Sequence, residues 1–331
     1  MKYLSHYKYL VFTERLNLTE DGVLPLKVKL NIPGSNLHNG RFMFWLFLAI
    51  MLISVFFNFA VISACFYRRF NSPMLLYIAL ASIADTFWGI VGVSSFFNST
   101  IASRLDITFK ECLVQMFCLY FSLFQQFFTT WMMYVDRHWA IFWPYSYVAL
   151  VANKGGAAKF ATIVWAIGLL LSISFVAAAT QLVFCNTTVV IPDFICAFFP
   201  LAKSSCGNSY LPSTYTITLL FLVIGLTGFT VMYSTWCIVR KCRKSTEDAN
   251  VKALHTCFTQ LFVSVIHFLN YLVMIMFKRF VRHQTFGAIV DLMGITTPAL
   301  INPLIFGFRV HEIRPRLTMK LVFLKSQFSS D

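Results

Sequence analysis

Residues 132–141 read Met-Met-Tyr-Val-Asp-Arg-His-Trp-Ala-Ile, so an acidic and a basic side chain stand next to each other at the end of a long apolar run. The run covers residues 112–135, and a helix needs roughly 20 residues to cross the hydrocarbon core of a bilayer. Charged side chains are costly inside a membrane and face protein or water where they do occur. We therefore predict a membrane helix that ends beside Asp136 and Arg137. Because these two side chains are adjacent at the membrane edge, we expect Arg137 to pair with Asp136.

The composition also predicts a lipid environment for most of the chain. Its 331 residues are 58% hydrophobic and 12% charged, whereas a soluble domain carries about 25% charged residues. The formal net charge of +14 raises nucleic acid as an alternative partner. The basic residues, however, stand in short clusters that flank apolar runs. We expect the lipid bilayer, and no nucleic acid, as a partner.

Six further apolar runs have the length of a membrane helix. In chain order the seven predicted spans cover about residues 42–67, 74–97, 112–135, 158–184, 214–239, 255–277 and 286–308. Residues 310–324 space apolar side chains three and four apart with basic ones between, as in a helix that lies on a membrane surface. The predicted fold is an all-α membrane protein, a seven-transmembrane helix bundle with a short amphipathic helix after span seven. The N-terminal segment is 1–41, the bundle 42–308, and the amphipathic helix and tail 309–331.

Two patterns predict how the spans face. Basic residues crowd the loops after spans one and five and the C-terminal tail, which places those parts in the cytoplasm. The loop after span six, with Lys278 and Arg279, argues mildly the other way. Three N-x-[ST] glycosylation sequences fall on the side opposite the main clusters, at Asn17, Asn98 and Asn186. We expect the N-terminus outside the cell and the C-terminus in the cytoplasm.

Four of the nine cysteines fall at or beyond the expected outer membrane surface, where disulfides persist. They are Cys112, Cys185, Cys196 and Cys206. Four cysteines allow three pairings, and spacing alone does not choose between them. We expect the other five to be buried small hydrophobic residues.

Several motifs at these positions resemble those of odorant receptors, a family of rhodopsin-like G-protein-coupled receptors. Residues 132–147 resemble the family's M-A-x-D-R-Y-x-A-I-C-x-P-L-x-Y, residues 252–261 its K-A-x-x-T-C-x-x-H-L, and residues 298–307 its P-x-x-x-N-P-x-I-Y-G. The three cysteines between spans four and five add to the likeness. The resemblance covers about residues 42–320, and its character is closer to fish receptors than to mammalian ones.

The sequence departs from the family pattern at several positions. His138 replaces the usual Tyr after Asp-Arg, Gln260 the usual His, and Phe306 the Tyr after Asn-Pro. Gln126 stands where many odorant receptors have Glu. These changes put the balance between the resting and active states in doubt.

The resemblance implies a plasma-membrane receptor that binds a small-molecule odorant in the outer half of the bundle. It implies activation of a stimulatory, olfactory-type heterotrimeric G protein, which raises cAMP. It pairs Cys112 with Cys196, which leaves Cys185 to pair with Cys206. It also implies a polar core of Asn58 and Asp85, shared with Asn302. The residues that it implies for G-protein coupling and activation are Asp136, Arg137, Tyr233, Asn302 and Pro303.

Two stripes of side chains are candidates for ligand binding. Met116, Tyr120, Leu123 and Phe124 share one face of span three, and Phe268, Tyr271 and Ile275 share one face of span six. Such stripes are more often core packing, and it is the resemblance that favours a binding surface. Asn270 and His267 are polar options nearby.

Asp291 in span seven has two interpretations. It can receive a cationic group of the ligand, or it can pair with Lys278, Arg279 or Arg282 at the mouth of the bundle. We favour pairing.

Other classes of protein fit less well. The sequence has no G-x-S-x-G, H-E-x-x-H, P-loop or C-x-x-C motif, so we expect no enzyme, no metal site and no cofactor. A rhodopsin-like receptor for another small-molecule or lipid ligand remains an alternative, although Leu119 stands where amine receptors have Asp. A membrane transporter is a weaker alternative because no inverted repeat is visible.

Overall fold

The computed structural model describes residues 27–30, 37–67, 72–100, 106–152, 155–191, 195–243, 248–280 and 284–309. The expected amphipathic helix after span seven and the glycosylation site at Asn17 lie outside these residues. The side chains of Asn98, Ile275 and Phe306 also lie outside the described part of the structure.

The described chain is mostly helical, with a small sheet that the all-α prediction missed. The elements are β1 Lys27–Leu30, α1 Leu37–Tyr67, α2 Pro73–Thr100, β2 Asp106–Thr108, α3 Phe109–Phe142, α4 Pro144–Leu150, α5 Gly156–Ala179, β3 Thr188–Ile191, α6 Phe198–Lys203, α7 Tyr210–Cys242, α8 Asp248–Phe280 and α9 Gln284–Arg309. The seven predicted spans fall, in order, on α1, α2, α3, α5, α7, α8 and α9.

Five of these helices (α1, α2, α3, α5 and α7) are long and apolar enough to cross a membrane, judged on the described residues. In α8 and α9, the described side chains give shorter apolar stretches, Gln260–Met274 and Val290–Ile305. Large apolar side chains such as Trp45, Leu52 and Phe56 are exposed on α1, as expected where lipid is the solvent. The chain is a multi-pass membrane protein.

Local chemistry sets both ends of α3. At its start, the Thr108 hydroxyl accepts a hydrogen bond from the Glu111 N–H, and the Glu111 carboxylate accepts one from the Thr108 N–H at 2.8 Å. This reciprocal capping box satisfies two N–H groups that lack helical partners. At its end, Pro144 disfavours helical geometry at Trp143 and begins α4. The helix therefore runs past Asp136 and Arg137 by about one and a half turns.

Two prolines inside α9 each free a carbonyl group, because proline has no N–H to donate four residues back. Pro298 frees the carbonyl of Gly294, which accepts a hydrogen bond from Asn270 Nδ2 of α8 at 3.1 Å. Pro303 frees the carbonyl of Ala299. That oxygen accepts from Ser54 Oγ at 2.6 Å and from Asn58 Nδ2 at 2.9 Å, both on α1. Side chains of α8 and α1 thus replace the missing backbone donors of α9.

A three-stranded sheet and two cysteine pairs lie at one end of the bundle, which we call the disulfide end. Strand β1 pairs antiparallel with β2 and parallel with β3. The Val28 and Leu30 side chains of β1 are buried in the main core. The Cα atoms of Cys112 and Cys196 are 5.4 Å apart and those of Cys185 and Cys206 are 6.0 Å apart, separations at which disulfides form.

Asn270 donates to the Gly294 carbonyl that Pro298 leaves free. The effect of a substitution at Asn270 on stability should therefore depend on whether residue 298 is proline. Asn270→Leu removes the donor and leaves that oxygen unsatisfied, which should cost about 1 kcal/mol of stability. In a Pro298→Ala background the new alanine N–H can donate to Gly294 instead, so the same substitution should cost less. The measurement is the thermal unfolding midpoint of the purified protein for the wild type, both single variants and the double variant. Equal losses in the two backgrounds would contradict the role assigned to Pro298.

The cysteine geometry predicts the result of peptide mapping under non-reducing conditions. Cys112 should be joined to Cys196, and Cys185 to Cys206. Removing the first pair should sharply lower surface expression, because a disulfide in a small extracellular unit is worth about 2–5 kcal/mol. A peptide that joins Cys112 to Cys185 or Cys206 would show that the pairing is different.

Candidate functional site

The main cavity of the described structure has a volume of about 450 Å³ and opens toward the disulfide end. Its walls come from five long helices, and the segment 195–203 covers it. The described residues that line it are Trp88, Leu119, Tyr120, Leu123, Phe127, Ile195, Ala197, Phe199, Pro200, Ala202, Lys203, Ser209, Ser213, Ile217, Leu220, Phe221, Ile224, Tyr271, Met274, Met276 and Ile295. A volume of this size and a largely apolar lining are typical of a small-molecule site.

Segment 195–203 is held on α3 by three contacts. The Cα atom of Cys196 lies 5.4 Å from that of Cys112 near the start of α3, within the range of a disulfide. The Cys196 N–H donates to Gln115 Oε1 at 2.8 Å, and the Phe198 N–H donates to the Tyr120 hydroxyl at 3.4 Å. The covering segment and the α3 wall of the cavity therefore form one unit.

The structure brings three of the expected ligand residues to the cavity: Tyr120, Leu123 and Tyr271. Met116 and Phe124 are fully buried in the core instead, and the Phe124 ring packs against Phe175 at 5.5 Å. Phe268 lines a much smaller neighbouring cavity. The seventh expected residue, Ile275, has its side chain outside the described structure.

On α3, the face that lines the cavity is rotated from the predicted one. It consists of Leu119, Tyr120, Leu123 and Phe127, which also recur at helical spacing. Because α3 is packed between other helices and buries side chains on several faces, the spacing of its apolar residues did not show which face meets the cavity. No residue of the α7 wall, of the covering segment or of α2 was named from the sequence, since their residue types match ordinary core residues.

A chain of buried hydrogen bonds runs from the cavity into the bundle. The Tyr271 hydroxyl, which lines the cavity, donates to Gln126 Oε1. Gln126 Nε2 donates to Asp85 Oδ1 at 2.8 Å, and Asn302 Nδ2 donates to Asp85 Oδ2 at 2.6 Å. The four side chains come from α8, α3, α2 and α9, and all are buried. We call this chain the polar network.

The expected polar core is thus assembled in two parts. Asp85 and Asn302 contact each other directly within the polar network. Asn58 joins α9 at the Ala299 carbonyl instead of at Asp85. Sequence analysis singled out Gln126 only as a departure from the family, and the structure makes it the bridge between Tyr271 and Asp85.

At the opposite end of the bundle, which we call the Arg137 end, the Asp136 carboxylate accepts a hydrogen bond from the Tyr147 hydroxyl at 2.9 Å. We expected Asp136 to pair with Arg137, but the guanidinium contacts the Met74 sulfur. Burial, together with the neighbouring Asp136 carboxylate, raises the pKa of the Tyr147 phenol. Tyr147 therefore stays protonated near neutral pH and serves as the donor. The Tyr147 hydroxyl thus provides the hydrogen bond to the Asp136 carboxylate that the sequence motif led us to expect from Arg137.

Further side chains on α3 and α7 meet at the Arg137 end. The Tyr233 side chain is 50% exposed, and its ring lies 5.8 Å from that of His138. Lys241 Nζ donates to the Ile141 carbonyl at 2.6 Å and lies over the Phe142 ring. The helices α3 and α7 are therefore joined here, with Tyr233 at the junction.

Asp291 on α9 is only 2% exposed and is not among the described residues that line the main cavity. The structure thus gives no support to a ligand contact there. The side chains of Lys278 and Arg279, and all of Arg282, lie outside the described structure, so the expected pairing stays a prediction.

Comparison with known proteins gives a consistent result. The family profile of the olfactory receptors matches residues 43–324. Human olfactory receptor 10H2 is 28% identical over 302 residues, which cover 88% of this chain and 93% of the relative. Human olfactory receptor 4S2 is 26% identical, with 81% and 86% covered, and mouse olfactory receptor 10H28 is 24% identical, with 82% and 86% covered. The chain belongs to the olfactory receptor family.

Proposed function

We propose that this protein is an odorant receptor that binds a small, mainly hydrophobic molecule in the main cavity and activates a stimulatory, olfactory-type G protein to raise cAMP. The observation that carries the proposal is the apolar cavity of about 450 Å³ in a chain that belongs to the olfactory receptor family. The seven long helices act as seven spans in this proposal, and α8 and α9 complete the bundle.

The proposal places the receptor in the plasma membrane with the disulfide end outside the cell. Disulfides persist outside the cytoplasm, and both cysteine pairs lie at this end. Asn186, the described glycosylation candidate, is exposed in the same region. Arg240 and Lys241 lie at the Arg137 end, which agrees with a cytoplasmic location for basic residues.

The polar network supplies a physical route from the ligand to the helices that must move. A ligand in the cavity contacts Tyr271, and the Tyr271 hydroxyl bonds to Gln126. Gln126 in turn holds Asp85, which holds Asn302 beside Pro303. A shift of the Tyr271 ring therefore changes the hydrogen bonds at the site where α9 lacks a backbone bond. Differential contacts of this kind are what a ligand needs to shift a conformational equilibrium.

At the Arg137 end, the proposal assigns the G-protein contact to Arg137, Tyr233 and the basic residues at the end of α7. Arg137 has its Nε atom buried without a hydrogen-bond partner among the described residues. A guanidinium held by a sulfur contact instead of a carboxylate is poorly satisfied. It is therefore ready to exchange that contact for carbonyl or carboxylate groups of a partner protein.

The cavity placement predicts the effect of two tyrosine substitutions. Tyr120→Ala and Tyr271→Ala each remove a ring from the cavity wall. Each should raise the agonist concentration for a half-maximal cAMP response at least tenfold, about 1.4 kcal/mol, at matched surface expression. Leu222→Ala is the control, because Leu222 is exposed on α7 and should leave the response unchanged. Wild-type responses from both tyrosine variants would show that the ligand binds elsewhere.

The proposed contact of Arg137 with the G protein predicts a variant that is expressed at the cell surface but does not signal. Arg137→Ala should reach the cell surface but lose the ligand-evoked cAMP response, because the group that meets the G protein is gone. The measurement is cAMP in cells that co-express an olfactory-type stimulatory G protein, with ion flux recorded in parallel. Lys159→Ala, at an exposed position near the start of α5, is the control. A normal cAMP response from Arg137→Ala, or an ion current in place of cAMP, would contradict the proposal.

A further inference from the structure

The polar groups that line the main cavity are unevenly distributed. Most of the wall is apolar, and among the described lining residues none is acidic. The charge on the described wall belongs to Lys203, which is exposed at the mouth, at the end of α6. The described wall therefore presents no carboxylate to an ammonium group of a ligand.

Deeper in the cavity, the hydroxyl groups of the two tyrosines already have protein partners. The Tyr271 hydroxyl donates to Gln126, and the Tyr120 hydroxyl accepts from the Phe198 N–H. The Tyr271 O–H donor is therefore already used, and this residue offers a ligand mainly the face and edge of its ring.

Trp88 of α2 is different. Its side chain lines the cavity and is 3% exposed, and its Nε1–H has no hydrogen-bond partner among the described residues. Of the described residues that line the cavity, it is the one with an unsatisfied buried polar atom. The indole packs edge-to-face with Tyr271 at 6.4 Å, so it sits beside the start of the polar network. An unsatisfied donor in an apolar site is costly, and an acceptor on a ligand would remove that cost.

The chemistry of these groups limits what they recognise. An indole N–H can only donate a hydrogen bond, and so can an ammonium group. Neither can satisfy the N–H groups of an amine. An otherwise apolar molecule with an oxygen acceptor can accept a hydrogen bond from either of these donors.

We propose that Trp88 Nε1–H donates a hydrogen bond to a carbonyl oxygen of the ligand, and that the receptor selects apolar carbonyl compounds over hydrocarbons and amines. This inference rests on the proposed function only in using the same cavity as the ligand site. Trp88 sets the preference for an acceptor, and the described wall offers no carboxylate that would bind an ammonium group. A ligand carbonyl at this position lies next to Tyr271, where it also acts on the polar network.

The test is binding to the purified receptor in lipid nanodiscs, without a G protein. Three probes of matched length are titrated: 2-heptanone, 1-heptene and heptan-1-amine. We expect 2-heptanone to bind most tightly. Trp88→Phe keeps an aromatic ring but removes the N–H. It should therefore lower the affinity for 2-heptanone about tenfold and change the affinity for 1-heptene less than twofold.

A matched control is Trp45→Phe, the same substitution at a tryptophan that is 61% exposed on α1; it should change none of the three affinities. Equal loss of ketone and alkene binding in Trp88→Phe would overturn the inference. So would tighter binding of the amine, or no binding of any probe. If Trp88→Phe fails to fold, the ranking of the three probes on the wild type decides.

A separate cAMP measurement distinguishes this inference from the proposed function. Ketone binding that depends on Trp88, without any cAMP response, would support the ligand class and contradict the signalling function. A cAMP response to amines but not to ketones would support the signalling function and contradict the ligand class.

Discussion

A backbone carbonyl that loses its helical donor inside a membrane has to find another donor, because lipid offers none. Helix α9 has two such carbonyls, at Gly294 and Ala299, since Pro298 and Pro303 follow them by four residues. Asn270 satisfies the first from α8, and Ser54 and Asn58 satisfy the second from α1. These two turns, where proline interrupts the backbone hydrogen bonds, are therefore also points where α9 is attached to its neighbours.

These attachments place the groups that the receptor uses. Asn270 precedes Tyr271, so the side chain that satisfies α9 fixes the turn that carries the Tyr271 ring into the cavity. Asn302 precedes Pro303, and it holds Asp85 at 2.6 Å. Between them, Gln126 joins Tyr271 to Asp85. The main cavity and the disrupted turns of α9 thus share one buried hydrogen-bond network, and a movement of the Tyr271 ring acts on the turn of α9 where Pro303 lacks a backbone donor.

The long helices were predictable from the sequence, because apolar runs of membrane length are rare outside membrane helices. Strands β1, β2 and β3 were missed, since runs of only three or four residues carry too weak a signal. The sequence predicted that Tyr120, Leu123 and Tyr271 contact the ligand, and these three residues line the main cavity. The same prediction was made for Met116 and Phe124, which pack in the core instead. In α3 several faces are buried, so only tertiary packing decides which one lines the cavity. The hydrogen bond between Tyr147 and Asp136 was missed because the motif indicates the adjacent Arg137 as the partner of Asp136.

The central claim is that the odorant occupies the cavity beneath segment 195–203, in contact with the helices of the polar network. Photolabelling with a diazirine analogue of an apolar ketone, followed by mass spectrometry of the labelled peptides, measures this directly. Labels should fall on cavity residues such as Leu119, Ile224 and Met274 and should disappear when excess unlabelled ketone is present. Labels confined to outward-facing side chains such as Phe229, with no competition, would show that the probe only partitions into lipid and that the cavity is not the binding site.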